Sequence, residues 1–395
     1  MKLVRSHNIP LISILGACVF GLGLFFTSTL SSIGIFLYIY FSVMIPLLVI
    51  FSTLNVKSIY SYAIVRYSER NLFLTIILFL FICFYIYSIV SYIGINDLSI
   101  ESILSIANKI THLRYLSEES PFNFTLHLLG LFVYPIFIYI IFTEARTKSR
   151  YKKIDLIVTY ATLFSIFFIP FIMGSKSMLV LLVILFFISK ILKKQSCILS
   201  NIKFFMGVFF SIVLAFMIMI FLHYNRVSDG VDFLFIVEKV IMEYFLAPAI
   251  LFTKWVEYFD INILPQDFGY NTFLGVAKYL IHTETTRSNF ISFDIGDTTY
   301  ISNVYTGYKW ALLDFGIIFS SIFFAVIYYL LIVSVRSFYA SYSILKLTLI
   351  VALAIYILFL PFGSVYKYLT NYFTLFGFLL IYLGEFMNKI RVVKK

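Results

Sequence analysis

Along most of this chain apolar residues do not alternate with polar ones. They run together in blocks of about 20, and at 1.5 Å per residue such a block crosses a hydrocarbon core ~30 Å thick. These blocks predict helices, because a helix satisfies its own backbone hydrogen bonds where water is absent. Ten are predicted, at about 9–29, 31–53, 71–94, 123–143, 154–173, 177–192, 203–223, 310–335, 344–363 and 369–388. A long polar interruption, 224–309, separates the seventh from the eighth. Inside it, Val231 to Trp255 turns apolar again but carries Glu238, Lys239 and Glu243, which disfavour a full crossing. That pattern predicts a helix along the membrane surface or a re-entrant element over a cavity, with a pair of short spans as the alternative. The stretch from Asn262 to Thr299, rich in Gly, Asp, Thr and Asn, predicts irregular structure.

Composition makes the class firm. The chain is 62% hydrophobic and 12% charged, against roughly 25% charged residues in soluble domains. The fold class read from this is all-α, a polytopic helical membrane protein with about ten transmembrane helices in one integral membrane domain, 1–395.

Charge then sets the orientation. The N-terminus, the loops near 54–70, 144–153, 190–203 and 336–346, and the C-terminus hold 20 Lys and Arg against Glu69, Glu144, Asp155 and Glu385, a balance of +16. The opposite face holds the other 10 basic and 15 acidic residues, a balance of −5. The positive-inside rule makes the first face cytoplasmic, with both termini, and turns 224–309 outward. The net charge of +11 therefore speaks for anionic lipid and not for nucleic acid. The first span is read as a retained helix, since its apolar stretch is longer than a signal-peptide core.

Several function classes drop out on motif grounds. The three cysteines, Cys18, Cys83 and Cys197, are scattered, and the five histidines show no His-x-x-x-His spacing, so no metal site is predicted. A phosphate-gripping Gly-x-x-x-x-Gly-Lys is absent, which argues against ATP-driven transport by this chain alone. No cofactor is expected. One large outer loop beside short ones points to binding or chemistry at the membrane surface.

The basic residues of that acidic outer face are the candidates for anion binding: Lys176, Arg226, Arg287, Lys309 and Arg114. Lys176 lies in the turn Gly174-Ser175-Lys176-Ser177, where turn N–H groups and a following helix N-terminus favour phosphate. Arg226 and Arg287 can fork onto phosphate oxygens, while Lys309 precedes a span. For each of them headgroup contact or solvent exposure is the plain alternative.

The exit of the interruption reads Asn303-Val304-Tyr305-Thr306, then Tyr308, then Leu313-Asp314-Phe315-Gly316 entering a span. This resembles the pattern of Wzy-type O-antigen polymerases, which join lipid-linked oligosaccharide repeat units, and the Gly174–Ser177 turn is similar to one those proteins carry after a mid-chain span. The layout of the whole chain matches; the motifs cover about twenty residues. Some members carry Arg and Gly eleven positions apart in outer loops, and neither Arg226 nor Arg287 has that partner.

The resemblance implies a fold related to the GT-C class of lipid-dependent glycosyltransferases, a large periplasmic loop at 224–309, and an inner-membrane location. It implies undecaprenyl-pyrophosphate-linked oligosaccharides and membrane lipid as partners, with a chain-length regulator protein beside them. A polymerase must stabilise a departing pyrophosphate, a task for Lys176, Arg226, Arg287, Lys309 and Arg114, and must take a proton from a sugar hydroxyl. His223, Glu284, Asp294 and Asp297 are the candidate bases. Asp314 belongs to the motif, and a helix N-terminal charge is its plainer reading. Asn303, Tyr305 and Tyr308 are placed at the sugars. No Asp-x-Asp occurs and the first outer loop holds no acid, so metal-independent catalysis is expected. An O-antigen ligase, or a flippase for the same glycolipid, is the alternative function.

Overall fold

The computed structural model describes residues 5–25, 30–54, 67–92, 124–144, 151–173, 175–193, 234, 237–238, 241–258, 269–274, 291–295, 298–302, 306–361, 363 and 369–393. Helices dominate. Among the described residues five helices are long and apolar enough to cross a membrane: Asn8–Phe25, Ser32–Leu54, Leu72–Tyr92, Lys152–Pro170 and Gly307–Ala340. Leu128–Phe142 and Ile344–Phe359 are shorter apolar helices. The expected span 203–223 lies outside the described residues. The chain divides into two compact units.

The first unit comprises 1–64, 191–204 and 232–372. It begins with α1 (Asn8–Gly21), followed by α2 (Ser32–Ile39) and α3 (Ile45–Leu54), the last two joined by a π-helical turn, Tyr40–Met44. The wide turn has a local cause. Pro46 has no N–H for the carbonyl four residues back, at Ser42, and its ring would crowd that carbonyl in a regular helix. A second π-helical turn, Ile241–Leu246, leads into α9 (Ala247–Tyr258), numbered in chain order with the five helices of the other unit between. After a short hairpin come α10 (Gly307–Ala340), α11 (Ile344–Phe359) and the single turn α12 (Leu369–Tyr372).

Helix α10 is the axis of this unit and packs against α11 and α3. It buries Phe324, Tyr328, Leu331, Ile332 and Phe338 while exposing Ile318, Phe319, Ile322 and Val326. Apolar side chains on the exposed side as well as the packed one are what a lipid-facing helix carries. Ser13 Oγ on α1 lies 3.0 Å from the Tyr328 hydroxyl and donates to the Ile357 carbonyl at 3.2 Å. Polar groups thus tie α1, α10 and α11 together inside an apolar interior, where an unpaired hydroxyl is costly. Helix α9 crosses α2 so closely that a Cβ on Gly34 would stand 2.8 Å from the Thr253 Cα, which the small residue alone permits. Ala247, Ala249, Ile250, Leu251, Phe252 and Thr253 are all buried. This part of 231–255 is enclosed by protein, and that corrects the expectation of a helix lying on the membrane surface.

The hairpin is the other departure. Strands β1 (Ile291–Ile295) and β2 (Thr298–Ser302) pair antiparallel inside the stretch expected to be irregular. The signal was in the sequence: Ile291, Phe293 and Ile295 alternate with Ser292 and Asp294, and Gly296-Asp297 is a favoured two-residue hairpin link.

The second unit comprises 65–190, 205–231 and 373–395. It contains α4 (Leu72–Tyr92), α5 (Phe124–Leu131), α6 (Val133–Phe142), α7 (Lys152–Met173), most of α8 (Lys176–Lys193) and α13 (Phe376–Val393). Every residue of α6 is buried, and it packs on α13, where a Cβ on Gly377 would fall 2.4 Å from that of Ile138. Ahead of α4, Arg70 is 6% exposed and spends its donors inward. Its Nε donates to Thr143 Oγ1 at 3.0 Å, one terminal nitrogen donates to the carbonyls of Ile140 at 2.7 Å and Thr143 at 2.9 Å, and the other donates to Thr159 Oγ1. The Asp155 carboxylate is 3.9 Å away. Burial lowers the Arg70 pKa and Asp155 raises it, so the carboxylate helps hold the buried charge. Next to it, Asn71 accepts the Leu74 N–H as the cap of α4 and donates to Asn388 Oδ1 at 3.0 Å. Arg70 and Asp155, counted above as loop charges of the basic face, are therefore interior groups.

Candidate functional site

The head of α10 is where the polar interruption meets the helical bundle. Thr306 is the N-cap in extended backbone, and the Gly307 N–H donates to the Leu360 carbonyl at 2.8 Å, fixing the helix start against the end of α11. One turn of the interruption, Gly269 to Leu274, is held against the same helix. Gly269 has φ 93°, a left-handed conformation suited to glycine, and its carbonyl accepts the Phe273 N–H at 2.9 Å.

Asp314 makes this junction. It is fully buried and accepts three hydrogen bonds: from the Asn271 N–H at 2.9 Å, from Asn271 Nδ2 at 3.0 Å and from the Thr272 N–H at 2.6 Å. A buried carboxylate is tolerated when its oxygens are met in this way. Two residues on, Gly316 has φ 65° and ψ −176°, so α10 is two helical pieces joined at a kink. Ser320 Oγ donates to the Ala311 carbonyl at 2.8 Å across that kink and meets an acceptor that the break would otherwise leave unpaired. Between them Phe315 packs on Phe323, with ring centroids 5.1 Å apart. The motif Asp314-Phe315-Gly316 is thus a joint: one residue clamps the polar segment, one packs and one bends. Asp314 is enclosed, so it faces no incoming hydroxyl, and its role as a simple helix-end charge gives way to that of a clamp.

The second feature is cationic. Lys309, in the first turn of α10, holds its ammonium 5.5 Å from the ring centre of Trp255 on α9 and 5.1 Å from that of Trp310. Both distances are within cation–π range. These are the chain's two tryptophans. Tyr308, one residue back, points the other way in packing terms. Its ring is fully buried among Tyr38, Phe41, Phe252 and Phe324, with centroid separations of 5.5 to 6.3 Å. That corrects its expected place as a stacking surface for sugar, since no face of the ring is open.

The remaining expected residues divide simply. Lys176 is the first residue of α8, in the second unit, and Asp294 lies in β1 with its backbone opposite Thr299. His223, Arg226, Glu284, Arg287, Asp297, Asn303, Tyr305 and Arg114 lie outside the described residues. Among the described residues no group of three His, Cys, Asp or Glu side chains is placed to hold a metal ion. Asn271, Thr272 and Trp255 were missed by sequence reasoning. For Trp255 a signal existed, because a tryptophan closing an apolar run is an interface marker; for Asn271 and Thr272 the contact is nonlocal and left none.

By fold, then, the chain has the helices of a membrane protein, with a polar segment clamped at the head of one long helix. Comparison with protein-family models, curated proteins and solved structures gave no match.

Proposed function

We propose that this protein is an O-antigen polymerase of the Wzy type, joining undecaprenyl-pyrophosphate-linked oligosaccharide repeat units at the periplasmic face of the inner membrane. The observation that supports this most is the Asp314 clamp. The Asp-Phe-Gly motif that carries the family resemblance is also the point where the long polar segment is fastened to a membrane-length helix. A surface glycosyltransferase needs such a junction, because its soluble substrate parts and its lipid anchor must be held in one register.

In this reading the bond between the donor sugar's anomeric carbon and the pyrophosphate oxygen breaks, and the electron pair leaves with the pyrophosphate. Lys176, Arg226, Arg287, Lys309 and Arg114 are its cationic stabilisers. The acceptor hydroxyl oxygen bonds to that carbon, and its proton passes to one of Glu284, Asp294, Asp297 or His223. Asn303 and Tyr305 line the sugar path. A chain-length regulator protein acts with the polymerase.

The test is genetic and chemical together. Deleting the gene leaves lipopolysaccharide capped with a single repeat unit, and Arg226→Ala and Arg287→Ala proteins reach the membrane but do not restore the polymer. Complete loss of glycan from the core on deletion would instead identify a ligase or a flippase. Full-length ladders from both arginine variants would remove the pyrophosphate role of those residues.

A further inference from the structure

A buried guanidinium must place five N–H donors, and in the second unit Arg70 leaves one of them over. Among the described residues Nε donates to Thr143 Oγ1, Nη1 to Thr159 Oγ1, and Nη2 to the carbonyls of Ile140 and Thr143. The fifth donor is the second N–H of Nη1. That nitrogen is also the one nearest Asp155, whose Oδ1 stands 3.9 Å away. Oδ1 is itself buried and has no hydrogen-bond partner among the described residues. A donor left over thus faces an acceptor left over, on side chains only 5% and 7% exposed. Charged groups in such surroundings are costly to leave unmet. Their separation is beyond the ~3.2 Å reach of an N–H···O hydrogen bond. Closing it is opposed from both sides. The guanidinium is planar, and its other nitrogens are fixed at the end of α6, so it advances on Asp155 only by giving up bonds already made. Thr159, one turn beyond Asp155 on α7, takes the direct bond from Nη1 and donates its own proton to the Asp155 carbonyl at 2.6 Å.

We infer that one water molecule is bound between Arg70 Nη1 and Asp155 Oδ1, accepting from the guanidinium and donating to the carboxylate. The chemistry selects the ligand. A cation is repelled by Arg70 and an anion by Asp155, so the group that fits is small, neutral, and both acceptor and donor. Two hydrogen bonds of about 2.8 Å meeting at one oxygen form a bent bridge that spans the 3.9 Å between the two atoms. The interior charges are then a water-separated ion pair, and the water links the segment ahead of α4 to the start of α7. Through Arg70 the same link reaches the end of α6. A water with such partners is a part of the fold, because removing it strands a buried charge on either side. The site is independent of the polymerase reading.

Two measurements on the full-length protein test it. In a diffraction or electron-microscopy map fine enough to show ordered water, density is expected within hydrogen-bond distance of both Arg70 Nη1 and Asp155 Oδ1. A map in which the two side chains touch directly, or one with ordered water elsewhere in the unit and none between them, overturns the site. The second measurement is thermal unfolding in detergent. Glutamate at position 155 carries its carboxylate one methylene farther, roughly 1.5 Å, which lets it take the place of the water and meet Nη1 itself. Asp155→Asn keeps the shape, removes the charge that Arg70 faces, and should lower the unfolding midpoint by about 5 °C or more. Asp155→Glu should lower it less than half as far. A glutamate variant that falls as far as the asparagine one shows that nothing exchangeable stands between the two groups, and refutes the bridge.

Discussion

Replacing Asp314 by asparagine tests the junction at the head of α10 with the least change of shape. In the native protein both carboxylate oxygens accept, one from the backbone N–H and Nδ2 of Asn271 and the other from the Thr272 N–H. An amide offers one acceptor oxygen, and its other end is an NH2 group that only donates. Whichever way it turns, its NH2 faces either Thr272 N–H or the two Asn271 donors, and at least one buried N–H is left unpaired. An orphaned buried donor costs ~1–3 kcal/mol, and the surviving bonds lose their charge assistance, for a total of about 2–4 kcal/mol. At ~1.4 kcal/mol per factor of ten, the Gly269–Leu274 turn should open about 30-fold more often or beyond. Hydrogen–deuterium exchange of the detergent-solubilised full-length protein reads this directly at the Asn271 and Thr272 amides, which exchange through local opening. Asn271→Ala removes the Nδ2 bond but keeps both backbone N–H bonds to the carboxylate, and should raise exchange by much less. If Asp314→Asn leaves exchange at these two amides within twofold of the native rate, the clamp does not hold the polar segment and the reasoning fails.

Other sites give sharp outcomes too. Gly307→Ala would set a Cβ 2.6 Å from the Gly363 carbonyl oxygen and 2.8 Å from Leu360 Cδ2, and backbone cannot yield as a side chain can. A loss of ~1–3 kcal/mol is expected, seen as a lower midpoint of thermal unfolding; an unchanged midpoint would mean that the helix start moves freely. Arg70→Met strands Asp155 in the interior of the second unit and should cost ~3–5 kcal/mol. Adding Asp155→Asn to that variant should return part of the loss, and strictly additive effects would show that the two groups are not coupled.

Much of the helical framework was legible because lipid imposes it. A chain with apolar blocks this long has few ways to satisfy its backbone, and the helices Asn8–Phe25, Ser32–Leu54 and Leu72–Tyr92 begin and end within a few residues of the expected spans. The hairpin Ile291–Ser302 was legible too, in alternation and the Gly296-Asp297 pair, but short alternating runs are easily overlooked beside blocks of twenty. The Asp-Phe-Gly motif was visible as letters while its role was hidden. Nothing in the local sequence says that the carboxylate of Asp314 meets Asn271 and Thr272, more than forty residues earlier.

By itself, then, the sequence determined class and anchorage, since hydropathy and helix length depend on neighbouring residues alone. The fate of individual polar groups was decided by tertiary structure. Arg70 is counted as a loop charge until Thr143, Thr159 and Asp155 close around it, and Tyr308 is a surface aromatic until four rings enclose it. Lys309 is one of ten cations expected on the outer face until Trp255 arrives from another helix. Burial and partners are properties of the packed chain: each depends on which distant residues arrive, and a polar group's cost or use follows from them.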